Sequence, residues 1–125
     1  MAHNESLGFV ETHGLVAAIE AADAMVKAAR VRVKTVVNAD MGLLSVVCEG
    51  DLAACQAAVD AGKAAAFRVG DCLRTNLIPR PDHDTGALID IYITSKIGPA
   101  IRPERAASKG ATRRRKARPK GKSKK

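Results

Sequence analysis

Two alanine-rich stretches, LVAAIEAADAMVKAA at residues 15–29 and LAACQAAVDAGKAAAFRVG at 52–70, flank a pair of valine-rich runs. Small side chains let a helix lie close against a flat sheet, so this pattern predicts a thin, broad layer of helices on strands. In the first stretch Leu15, Ile19, Ala22 and Val26 recur at helical spacing, which predicts about four turns at ~3.6 residues per turn. Glu20, Asp23 and Lys27 share the opposite face, with Asp23 and Lys27 at i,i+4 spacing, a pattern of weak pairing on a solvated surface. In the second stretch Leu52, Cys55, Val59, Ala66 and Val69 repeat in the same way, with Gly62 on that stripe and Gly50-Asp51 placed to cap its start.

Between the helices, VRVKTVV at 31–37 sets Val31 and Val33 inward and Arg32 and Lys34 outward, as in a half-buried strand. LLSVVCE at 43–49 reads as its more buried antiparallel partner. The connection is Asn38-Ala39-Asp40-Met41-Gly42, and Asn, Asp and Gly are the residues that tolerate a left-handed reversal. A flexible Met41 beside a loop acid is more than a simple hairpin needs. LGFVET at 7–12, ended by His13-Gly14, and CLRTNLI at 72–78, ended by Pro79 and Pro81, supply two further strands. The order strand, helix, hairpin, helix, strand is that of a small α+β sandwich. GALIDIYITSKIG at 86–98 suits either a fifth strand or a docked appendage, and its pattern does not choose between them.

The formal charge of +8 is not spread over this body. Residues 107–125 hold ten of the 21 Lys and Arg and no acid, so residues 1–106 keep eleven basic against thirteen acidic residues, a net of −2. A segment with dense like charge and no apolar residue larger than alanine predicts disorder in isolation. The organisation expected is a domain at 1–83, an extension with a possible extra strand at 84–106 and a Lys/Arg-rich tail at 107–125. Cys48, Cys55 and Cys72 are odd in number and lack CxxC spacing, which points to neither a disulfide framework nor a zinc site. Cys48 lies in an apolar run and reads as a small core residue. MAHNESLG has no apolar signal core, and no run approaches 18 apolar residues, so a membrane partner is not expected. A reducing cytoplasm is the expected location.

LGFVETHGLVAAIEAADAMVKAA, the glycine-containing hairpin, GDLAACQAAVDAG and the closing LIPRP together resemble the hexamer-forming shell proteins of bacterial microcompartments. The likeness covers residues 7 to about 83. It implies a four-stranded antiparallel sheet with flanking helices and six subunits around a central pore. It also implies hexamers that tile edge to edge with one another and with other shell proteins. A head-to-tail contact that closes after six copies fits cyclic symmetry. Asn38, Ala39, Asp40, Met41 and Gly42 stand where the family has its pore loop, often KIGSG, and Lys27 and Arg80 match its tile-edge lysine and arginine. Asp40 and Met41 replace glycine and a small polar residue, His13 replaces a frequent lysine, and Asp82 intervenes before His83. On this likeness Asp40 contributes to a ring of carboxylates that favours cations and neutral polar molecules over anions. Otherwise it merely caps the turn, with Met41 against a neighbouring subunit.

Two other classes of function compete. Arg113, Arg114, Arg115, Lys116 and Arg118 suit a polyanion, so the tail is a candidate contact for nucleic acid or for encapsulated enzymes with acidic surfaces. The body, with Phe9, Phe67 and Tyr92 as its aromatics, lacks the set a dedicated nucleic-acid binder uses. An enzyme is not expected, because His3, His13 and His83 belong to no catalytic spacing, and no cofactor or metal is implied.

Overall fold

The computed structural model describes residues 5–93. Four strands, β1 (Ser6–His13), β2 (Arg32–Asn38), β3 (Leu43–Gly50) and β4 (Asp71–Ile78), form one sheet in the order β2-β3-β1-β4. Every pairing is antiparallel, with Phe9 opposite Val47 and Asn76, and Val36 opposite Val46. Helices α1 (Leu15–Ala28) and α2 (Leu52–Val69) cover one face. Their core with the sheet holds Val10, Val46, Cys48, Ala17, Ala18, Ala21, Met25, Cys55, Ala58, Val59 and Ala66.

The buried side of α1 is not the expected one. Leu15, Ile19 and Val26 are exposed, whereas Ala17, Ala18, Ala21 and Met25 face inward. The physical reason is close approach: a Cβ added at Gly62 of α2 would come within 2.6 Å of Met25 Cγ. Helices this near have room for alanine and one flexible methionine, and the larger residues turn away. In α2 the expected Cys55, Val59, Gly62 and Ala66 are buried, while Leu52 and Val69 at its two ends are exposed. Asp51 holds the N-cap position and its carbonyl accepts from Cys55 N–H at 2.8 Å, but its side chain makes no capping bond.

The register of β2 shifts between Val33 and Thr35. Lys34 takes its expected outward place beside Arg32 on the sheet's second face, but that face is covered there: Lys34 is 15% exposed and pairs with Glu49 at 2.8 Å and with Asp90. Arg32 adds a bond to Glu49 at 2.6 Å and a contact to Glu5. Burial favours neutral Lys34, but hydrogen bonds to Asp90 and Glu49 outweigh it and raise its pKa. Burial likewise opposes ionised Glu49, but Lys34 and Arg32 hold its carboxyl below its ordinary value. Cys48, buried between β3 and the helices, has its thiol pushed up to about 12 chiefly by burial, as befits a core residue.

Residues 86–93 do not form a fifth strand. A short helix, α3 (His83–Ala87), starts where the Asp82 carboxylate accepts from Asp84 N–H at 3.1 Å, and a π-helical stretch, Leu88–Ile93, continues it. Pro79 and Pro81 end β4. The helical segment then docks on the second face, with Ile89 buried against Leu7 and Val47 and Asp90 on Lys34. The remainder of the expected appendage and the basic tail, including Arg113, Arg114, Arg115, Lys116 and Arg118, lie outside the described residues.

Candidate pore turn and edge residues

β2 and β3 converge on the five-residue turn Asn38–Gly42, whose residues are all exposed. Three successive residues are left-handed, Asp40 at φ 69°, Met41 at 54° and Gly42 at 79°. The conformation suits glycine and costs about 1–2 kcal/mol at each of the other two, so the surroundings must enforce it. Several bonds do so. The Asn38 side-chain oxygen accepts from Asp40 N–H at 3.0 Å, Ala39 N–H donates to the Leu43 carbonyl at 2.9 Å, and Leu43 N–H donates to that of Asp40 at 3.0 Å. A fourth bond, from Gly14 N–H to the Gly42 carbonyl at 2.7 Å, ties the turn to the start of α1.

The side-chain cap is therefore Asn38. Among the described residues no hydrogen bond or ion pair reaches the Asp40 carboxylate, and Met41 is 91% exposed. An acid and a large apolar side chain thus project from a well-held turn into open space. Sequence reasoning named His13 only as the end of a strand and as a departure from a frequent lysine; it completes β1 beside this turn, opposite Leu43. Its nearness to Gly42 depends on a register that sequence spacing does not carry.

The two edge candidates lie on separate elements, and no hydrogen bond or ion pair joins them. Lys27, in the last turn of α1, bonds Asp23 at 2.5 Å, the pairing anticipated from their spacing. That hydrogen bond raises the Lys27 pKa. Arg80 is exposed between Pro79 and Pro81. The Pro79 carbonyl accepts from Ser6 Oγ at 2.7 Å, which fixes this exit from β4 to the start of β1. Among the described residues no group of His, Cys, Asp and Glu is arranged to hold a metal ion, and no helix is long and apolar enough to cross a membrane.

The geometry is thus an antiparallel sheet in the order β2-β3-β1-β4 under two alanine-rich helices, with an exposed turn at the end of the β2–β3 hairpin. The family model of the BMC domain matches residues 6–81, and the chain belongs to the BMC domain family. It is 55% identical over 80 residues to the bacterial microcompartment shell protein EutM of Salmonella typhimurium, covering 64% of this chain and 83% of that one. It is 48% identical over 99 residues to the shell protein EutK of Escherichia coli, covering 79% of this chain and 60% of that one. The crystal structure of a microcompartment protein from Desulfitobacterium hafniense DCB superposes with a TM-score of 0.58 at 38% identity. The match covers 63% of this chain and 43% of that one.

Proposed function

We propose that the chain is a structural shell protein of a bacterial microcompartment. Its protomers close into cyclic homohexamers that tile into the shell facet, and the Asn38–Gly42 turns line a central pore. The observation that carries this reading is the inverted α1: Leu15 is 60% exposed, Val16 70%, Ile19 55% and Val26 46%, while the alanine side is buried. Such an apolar helix face on one protomer calls for a protein surface to cover it. A second copy, in a contact repeated around a ring, does so with no other component.

The relatives bear the names of shell proteins, which agrees with a structural and not an enzymatic role. Arg80 and Lys27 are proposed as the contacts between neighbouring hexamers, and the tail as a contact for acidic cargo. Solution mass tests the assembly: six times the 13.1 kDa protomer is expected, with extended sheets by electron microscopy. A stable monomer at the concentrations that give sheets for shell proteins would refute the proposal.

A further inference from the structure

The pore turn rests on a side chain from another strand. A Cβ built on Gly42 would lie 3.2 Å from His13 Nε2, 3.4 Å from Cδ2 and 3.9 Å from Cε1. The imidazole, though exposed, thus sits tightly enough against position 42 that a side chain there would have to push it back by a few tenths of an ångström. The backbone is fastened at the same place, since Gly14 N–H, next to His13, bonds the Gly42 carbonyl. Gly14 and Gly42 both have positive φ, 91° and 79°, so each end of this contact is a residue with wide backbone freedom. Between two such pivots, one planar ring limits how far the turn can tip.

Asp40 and Met41 need that limit. Their left-handed conformations persist only where neighbours over-determine them, and the bonds inside the turn hold its shape without fixing its tilt against the sheet. We propose that His13 is a positioning residue of the pore: its imidazole is the floor on which the Asn38–Gly42 turn rests, and it sets the size of solute that the turn admits. This rests on the pore reading above. The action is steric. Asp71 stands opposite His13 on β4 and Asp40 lies on the turn itself, and the size limit does not depend on the charge of either.

The test is flux of neutral polyols of increasing size through reconstituted shells. His13→Ala is expected to admit larger polyols several-fold faster than the parent, whereas His13→Phe, which keeps a planar ring, retains the parent's cut-off. Hexamer mass and melting temperature should stay near the parent's for both. Independently of flux, Gly42→Ala should lower the melting temperature through its positive φ and its tight contact with the ring, and His13→Ala should remove the contact's part of that loss. Strictly additive shifts would overturn the contact, and an altered cut-off in His13→Phe would overturn the steric floor. If His13→Ala leaves the cut-off unchanged while Met41→Gly moves it, the floor is wrong and the pore reading stands. If neither variant nor Asp40→Asn alters any flux, the pore reading fails and the floor fails with it.

Discussion

Asp40 and Met41 occupy backbone positions where glycine would be strained least. An ordinary hairpin has no need for such residues, so their presence is better accounted for by what their side chains present than by the turn itself. Replacing either by glycine should stabilise the protomer by ~0.5–1 kcal/mol, the relief of left-handed strain less the added freedom of the unfolded chain. Chemical denaturation would show it. In assembled shells Asp40→Asn should raise passage of small anions relative to neutral solutes, because a carboxylate ring repels them. Equal anion flux in parent and variant would remove Asp40 from the selectivity element. The composition of this turn was legible from the sequence, since Asn, Asp and Gly advertise a reversal. The identity of the cap was not: Asn38 and Asp40 are both suited to bond a nearby amide, and the three-dimensional turn gives that bond to Asn38.

At the level of elements, strand and helix order followed from hydrophobic periodicity, because alternation in β1 to β4 and alanine runs in α1 and α2 are local signals. What periodicity missed was which helix face turns inward. It ranks residues by hydrophobicity, whereas the contact between α1 and α2 selects for smallness, as the 2.6 Å approach of a Gly62 Cβ to Met25 shows. The burial of Lys34 escaped for a different reason. Alternation placed Lys34 outward with Arg32, but nothing local in the sequence says that Leu88–Ile93 docks over that face and supplies Asp90. That ion cluster predicts a measurable stability. With Glu49 only 10% exposed, Glu49→Gln should cost ~2 kcal/mol at neutral pH, the range for hydrogen bonds to charged groups. Because the folded-state pKa of Glu49 is depressed, its contribution is present above the ordinary carboxylate value of ~4.3 and is lost as pH falls through the lower folded value. Lys34, raised instead, contributes below its ordinary ~10.4 and loses that contribution as pH rises through the higher folded value. Melting curves of parent and variant should therefore converge in acid and separate near neutrality. A constant difference across that range would show that the cluster is not what Glu49 supports.

For the whole molecule, charge and apolar surface are separated along the chain: an almost neutral body leaves α1 apolar and exposed, and ten positive charges are confined to residues 107–125. The proposed assembly and the proposed recruitment should thus be separable by mutation. Ile19→Lys on α1 should break the hexamer while each protomer stays folded, because the side chain is 55% exposed in the monomer. Lys27→Ala and Arg80→Ala should leave hexamers intact and weaken sheets, since neither side chain is needed by the core and a guanidinium fork suits carbonyl or carboxylate partners on a neighbour. If both variants tile like the parent at the same salt, these two residues are not the edge. In the proposed hexamer six tails would bring about sixty positive charges to one assembly, and such avidity would give binding of acidic surfaces that falls steeply as salt rises. Removing residues 107–125 should release acidic cargo from purified shells at physiological salt, with the hexamer's mass reduced only by the deleted segment. Should the truncated protein alter tiling while cargo retention stays at the parent's level, the tail acts on the lattice and recruitment is rejected.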